Sequence, residues 1–157
     1  MAAQWAHLLP ESTESTLESF GRKGLKMAIR KEIFNMGMPW ESGYGYSQAV
    51  KVGDTIYVSG QVDHDETGKI LNPGDMEGQM RQAYANVRQV LAHFGATMEN
   101  VVDEILFVVD MESAMKARGR MKDEVFGPSI LPAATIVQIE RLALTGFMVE
   151  IRIIARV

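Results

Sequence analysis

Glu150 and Arg152 are the side chains whose types and spacing first point to chemistry. They stand two residues apart inside an apolar, β-branched run, Phe147–Ala155. In an extended strand alternate side chains share a face, so these two would lie roughly 7 Å apart on one side of a sheet. A carboxylate there could direct a water molecule, and a guanidinium could receive an anion. Val149, Ile151, Ile153 and Ala155 would take the other side and face a core. The preceding run, Thr135–Ile139, alternates in the same way: Thr135, Val137 and Ile139 oppose Ala134, Ile136, Gln138 and Glu140. Polar groups recurring in apolar strands are compatible with a lined cleft and equally with a solvated sheet face.

Composition bounds what such a cleft could be. A chain of 157 residues is most simply one domain, and its 46% hydrophobic and 23% charged residues are ordinary for a globular protein. The net charge of −4 counts against an electrostatic nucleic-acid binder. The absence of cysteine excludes disulfides, thiolate metal sites and a cysteine nucleophile. The three histidines, His7, His64 and His93, are widely spaced and form no metal-ligand motif, so no metal is expected. No apolar run reaches the roughly 18 residues of a membrane span, and no secretory leader is evident, so the expected location is cytoplasmic.

The elements that must position these residues are legible in outline. Residues 1–26 read as an N-terminal extension rich in Ser, Thr and Glu, and residues 27–157 as a single domain. Ile29–Asn35 alternates as a first strand, and Met36–Gly45 reads as a loop. That loop carries Trp40 and Tyr44, either as a pocket wall or as a cover for the core. Tyr46–Val52 and Thr55–Ser59 flank Gly53-Asp54, a hairpin signal. After a polar loop, Asp75 is a helix N-cap, apolar residues from Met76 to Phe94 recur at helical spacing, and Gly95 is a stop. Val101–Met111 reads as a strand and Ser113–Phe126 as a second helix closed off by Pro128 and Pro132. The order β-β-β-α-β-α-β-β predicts an α+β fold, one sheet with two helices packed on one face.

These residues also carry a family resemblance. Tyr46-Ser47-Gln48-Ala49-Val50 followed by Ser59-Gly60-Gln61 resembles the paired signature of the YjgF/RidA/L-PSP family. Gln79, Asn86, Val101-Val102, Asp110 and Val149-Glu150-Ile151 fit as well, so the resemblance runs from about Ile33 to Val157. It implies a chorismate-mutase-like α+β fold, a homotrimer, and small-molecule clefts between subunits. It further implies hydrolysis of enamines and imines such as 2-aminoacrylate to a 2-keto acid and ammonia, without metal or cofactor. Some members of the family are described as endoribonucleases or translation inhibitors. By resemblance Tyr46 is the pocket tyrosine, Glu150 the residue directing the hydrolytic water, and Ser59 and Gly60 ligand contacts. Thr135, Ile136 and Gln138 fall on the segment that carries the family's anchor.

One departure matters most. Ala134 stands where the family's PAR-S/T motif has the arginine that grips the substrate carboxylate. Alanine offers no bidentate hydrogen bonds, and losing such a partner typically costs ~2–5 kcal/mol. Ile136 replaces a cysteine found in some members, and Arg118 or Gly119 replaces an asparagine of the second helix. Arg152 could restore a cation to the cleft, or it could simply pair with Glu150 or across a subunit interface. The expected functions are therefore a deaminase-like hydrolase with reduced use of carboxylate-bearing imines, a ligand-binding trimer without turnover, or, as the least favoured, an RNA-directed nuclease.

Overall fold

The computed structural model describes residues 29–127 and 131–157. The expected extension at residues 1–26, the domain start at Met27 and the helix-closing Pro128 lie outside the described residues. In chain order the elements are β1 (Glu32–Phe34), α1 (Pro39–Tyr44), β2 (Ala49–Val52), β3 (Thr55–Gln61), α2 (Met76–His93), β4 (Val101–Val108), α3 (Met111–Phe126), β5 (Ala133–Gln138) and β6 (Val149–Arg156). One six-stranded sheet has the order β1-β2-β3-β6-β4-β5. All neighbours are antiparallel except β4 and β5, which are parallel and joined across α3. The mixed sheet with packed helices is the α+β arrangement expected.

Local chemistry explains most boundaries. Gly53 takes a left-handed φ of 60° and turns β2 into β3. Asp75 caps α2 by accepting from the Glu77 N–H, and Asp110 caps α3 by accepting from the Ser113 N–H at 2.7 Å. One expected loop is partly helical: α1 lies within 36–45. Pro39 supplies a fixed φ at its first position, and the Glu41 carboxylate accepts the N–H groups of Met36, Gly37 and Met38 at 2.9, 3.0 and 3.1 Å. Gly45, at φ 69°, ends it. Those bonds are invisible to periodicity, because the helix is too short to show one.

The core lies between the sheet and the two long helices. Ile56, Val58, Leu106, Val108, Val149, Ile151 and Ile153 meet Met80, Tyr84, Val87, Leu91, Ala117 and Met121, all buried. One charged group enters it. Glu104 of β4 is fully buried, receives the Tyr84 hydroxyl at 2.9 Å, and is paired with the Arg118 guanidinium from α3. Arg118 also lies over the Phe126 ring, 4.7 Å from its centroid. Burial pushes the Glu104 carboxyl above its ordinary value while Arg118 opposes that rise.

This pair yields a stability prediction. Removing one partner leaves a buried charge unmatched, so Arg118→Ala should lose about 3–5 kcal/mol of unfolding free energy in a urea titration. Adding Glu104→Gln to that chain should recover most of the loss, since no charge is then stranded.

Candidate functional site

The register divides the residues of the last two strands between the faces of the sheet. Ile153, Glu104 and Ala134 form one row, and Ile151, Leu106 and Ile136 the next, both facing the helices. Arg152, Ile105 and Thr135 form a row on the opposite face, as do Glu150, Phe107 and Val137. Ala134, Ile136 and Gln138 therefore do not share a face with Glu150 and Arg152. The reason is geometric: each strand alternates as expected, but the pairing through β4 sets which phase faces which side.

Glu150 is brought to a cavity by a β-bulge. Between the pairs Val58–Ile153 and Gln61–Ile151, β3 has two residues, Ser59 and Gly60, where β6 has only Arg152. A Cβ on Gly60 would overlap the Glu150 carboxyl group, so glycine leaves the room that the acid occupies. Ser59 is held by its hydroxyl, which donates to the Ser47 carbonyl at 2.6 Å. Tyr46 follows α1, with its N–H donating to the Glu41 carbonyl at 3.0 Å.

Tyr46, Ser59, Gly60 and Glu150 line one cavity of about 590 Å³. Trp40 and Tyr44 of α1, with Phe147, add aromatic wall. The loop after β3 contributes Val62 and His64, and the His64 ring meets Trp40 edge-on with centroids 5.6 Å apart. His64 Nδ1 donates to the Asp65 carbonyl at 2.8 Å, which leaves Nε2 with the lone pair when the ring is neutral. Two buried amides of α2 brace the walls. Asn86 donates to the Val62 carbonyl at 2.9 Å. Gln79 donates to the Gly146 carbonyl and accepts the Met148 N–H, each at 2.8 Å, clamping Phe147 from both sides.

Among the described residues, no cation pairs with Glu150. Burial alone raises the Glu150 carboxyl above its ordinary value. Burial, then the charge of Glu41, raises the Tyr46 hydroxyl, while hydrogen bonds from Trp40 and Gln48 oppose the rise. Arg152 is not in the cavity wall, and no Glu150–Arg152 ion pair forms among the described residues. Thr135, Ile136, Gln138 and Ala134 also lie outside this wall. Gln138 instead accepts the Met111 N–H at 3.1 Å. Among the described residues no group of three His, Cys, Asp or Glu side chains could hold a metal, and no helix is long and apolar enough to cross a membrane.

Sequence reasoning had a signal for Trp40 and Tyr44, aromatics in a glycine-rich segment, and the structure makes them cavity wall. It had none for His64 or Phe147. His64 belongs to a polar loop with no periodicity, and Phe147 looks like core.

The fold and cavity define an α+β protein with a small-molecule-sized site beside its central strands. The family model for Endoribonuclease L-PSP matches residues 40–157. The chain is 36% identical over 112 residues to RutC family protein YjgH of Escherichia coli, covering 71% of this chain and 82% of that protein. It is 36% identical over 127 residues to the mouse 2-iminobutanoate/2-iminopropanoate deaminase, covering 81% of this chain and 91% of that one. The crystal structure of Rv2704 from Mycobacterium tuberculosis, of the YjgF/YER057c/UK114 family, superposes with a TM-score of 0.71 at 29% identity, covering 82% of this chain and all of the other. The chain belongs to the YjgF/RidA/L-PSP family.

Glu150 should leave a pH signature. Its folded carboxyl holds a proton at higher pH than the unfolded one, so its contribution to stability is present below the unfolded value, about 4.3, and is lost as pH rises through the folded value. Glu150→Gln cannot ionise. It should melt at a higher temperature than the parent at pH 7.5, with the difference shrinking towards pH 4, as calorimetry would record.

Proposed function

We propose that this protein binds a small metabolite in the cavity and hydrolyses a carbon–nitrogen double bond there, acting best on imines that carry no carboxylate. The observation that carries this reading is the convergence of Glu150, Tyr46 and Ser59 on one largely apolar cavity, with room at Gly60 for the acid. Glu150, as the carboxylate, accepts a proton from a water molecule as the oxygen adds to the imine carbon. The proton then passes to nitrogen, and the carbon–nitrogen bond breaks as the carbonyl forms. One protonated imine and one water give one carbonyl compound and one ammonium ion, so atoms and charge balance. Tyr46, hydrogen-bonded with Trp40 and Gln48, orients the nitrogen or the water by its hydroxyl. Ala134 and Thr135 supply no cation, which supports poor use of 2-aminoacrylate.

The cavity is completed by a neighbouring copy in a homotrimer. The outer sheet face supports this reading: Tyr57 and Val137 are 44% and 39% exposed there. Ala134, exposed on the edge strand β5, is then available to a neighbour's cavity and not to its own, whereas Ile136 packs against the core. The missing guanidinium favours a second reading, binding without turnover. RNA cleavage is less favoured, since the net charge is −4 and no Lys or Arg among the described residues lines the cavity.

Ammonia release from imines generated in solution tests the reaction. Turnover should exceed that of 2-aminoacrylate when the imine lacks a carboxylate, and Glu150→Gln should lower it by about 10²–10⁴. Gly60→Ala, which displaces the Glu150 carboxyl, should lower it similarly while the chain stays folded. Stabilisation by a ligand without product would establish the second reading instead. Light scattering should give a mass three times that of the 17.4 kDa chain; a monomer would refute the shared cleft.

A further inference from the structure

The hydrogen-bonding character of the cavity narrows the class of ligand. Among the described residues of one chain, no Lys or Arg lines it. Several of its polar side chains present acceptors. The Ser59 hydroxyl hydrogen is engaged by the Ser47 carbonyl at 2.6 Å, so only its lone pairs remain. His64 directs its Nδ1–H to the Asp65 carbonyl at 2.8 Å, so Nε2 of the neutral ring is left to accept. Glu150 as a carboxylate accepts only. The Tyr46 hydroxyl is hydrogen-bonded with Trp40 and Gln48.

A ligand carboxylate placed here would bring a second negative charge beside Glu150 in a poorly solvated space, and two carboxylates sharing such a site do not both ionise cheaply. The guanidinium of Arg118, which reaches the row that Ala134 shares, is already paired with the buried Glu104. A nitrogen cation has the opposite fit. It neutralises Glu150, presents N–H groups to the acceptors, and can lie against the rings of Trp40, Tyr44, Tyr46 and Phe147.

We propose that the cavity is a receptor for a nitrogen cation, a primary ammonium or a protonated imine, borne on a flat or apolar group, and that it selects against a free carboxylate. This rests on the cavity being the ligand site proposed above, and it holds whether or not that site turns its ligand over.

Isothermal titration of the full chain at pH 7.5 with benzylamine, benzyl alcohol and benzoate tests it. The three probes share a ring and differ in charge. Benzylamine should bind about tenfold tighter than benzyl alcohol, and benzoate weakest of all. Glu150→Gln should remove the advantage of benzylamine over benzyl alcohol. Benzoate binding as tightly as benzylamine, or benzylamine binding no tighter than benzyl alcohol, overturns the proposal. So does an unchanged ranking in Glu150→Gln. The hydrolysis assay stands apart. Imine turnover with benzoate preferred would overturn the charge selectivity alone, whereas the expected ranking with no ammonia from any imine would overturn hydrolysis alone.

Discussion

The carboxyl group of Glu150 lies where a side chain at residue 60 would have to go. Much of the site follows from that shared volume. The β3 bulge bends the strand so that Ser59 and Gly60 stand against a single residue of β6, and the missing Cβ lets an acid fold back over the strand next to it. The acid is thereby half-buried next to aromatic rings, with no cation among the described residues of the wall to offset its charge. Its setting is unusual for a surface carboxylate and raises its affinity for a proton.

The two faces of the sheet solve opposite electrostatic problems. On the helix side, Glu104 is fully buried, and a guanidinium and a phenol meet it. On the other side, Glu150 is half-buried and meets no cation within its own chain among the described residues. The two acids are on strands that are direct neighbours, yet one is paired with a cation and, among the described residues, the other is not. Buried ion pairs seldom stabilise a protein more than apolar packing would, so the Glu104 pair is better understood as fixing how α3 sits over β4. Glu104 is also the register partner of Ala134 on β5.

How far the sequence reveals this depends on the kind of order involved. The alternation of Val149, Ile151, Ile153 and Ala155 identifies β6 and its core face, and the Gly53-Asp54 turn, the Asp75 cap and the α2 stripe each appear as expected. Those features are local, and local rules suffice. The first strand is shorter than its pattern, Glu32–Phe34 and not Ile29–Asn35, because β2 pairs with only those three residues. Tyr46, Ser59, Gly60 and Glu150 line one cavity. Ala134, Ile136 and Gln138 fall on the other face because strand phase relative to a partner is not encoded in either strand alone. His64 escapes notice for a similar reason: only the return of its loop over α1 sets it edge-on to Trp40.

That edge-on pair has a practical side. Trp40 is buried in the cavity wall, held there by a helix whose entry is tied to one carboxylate. The emission of an indole shifts when an apolar guest replaces water beside it. The chamber thus contains its own optical gauge, able to register filling without any label.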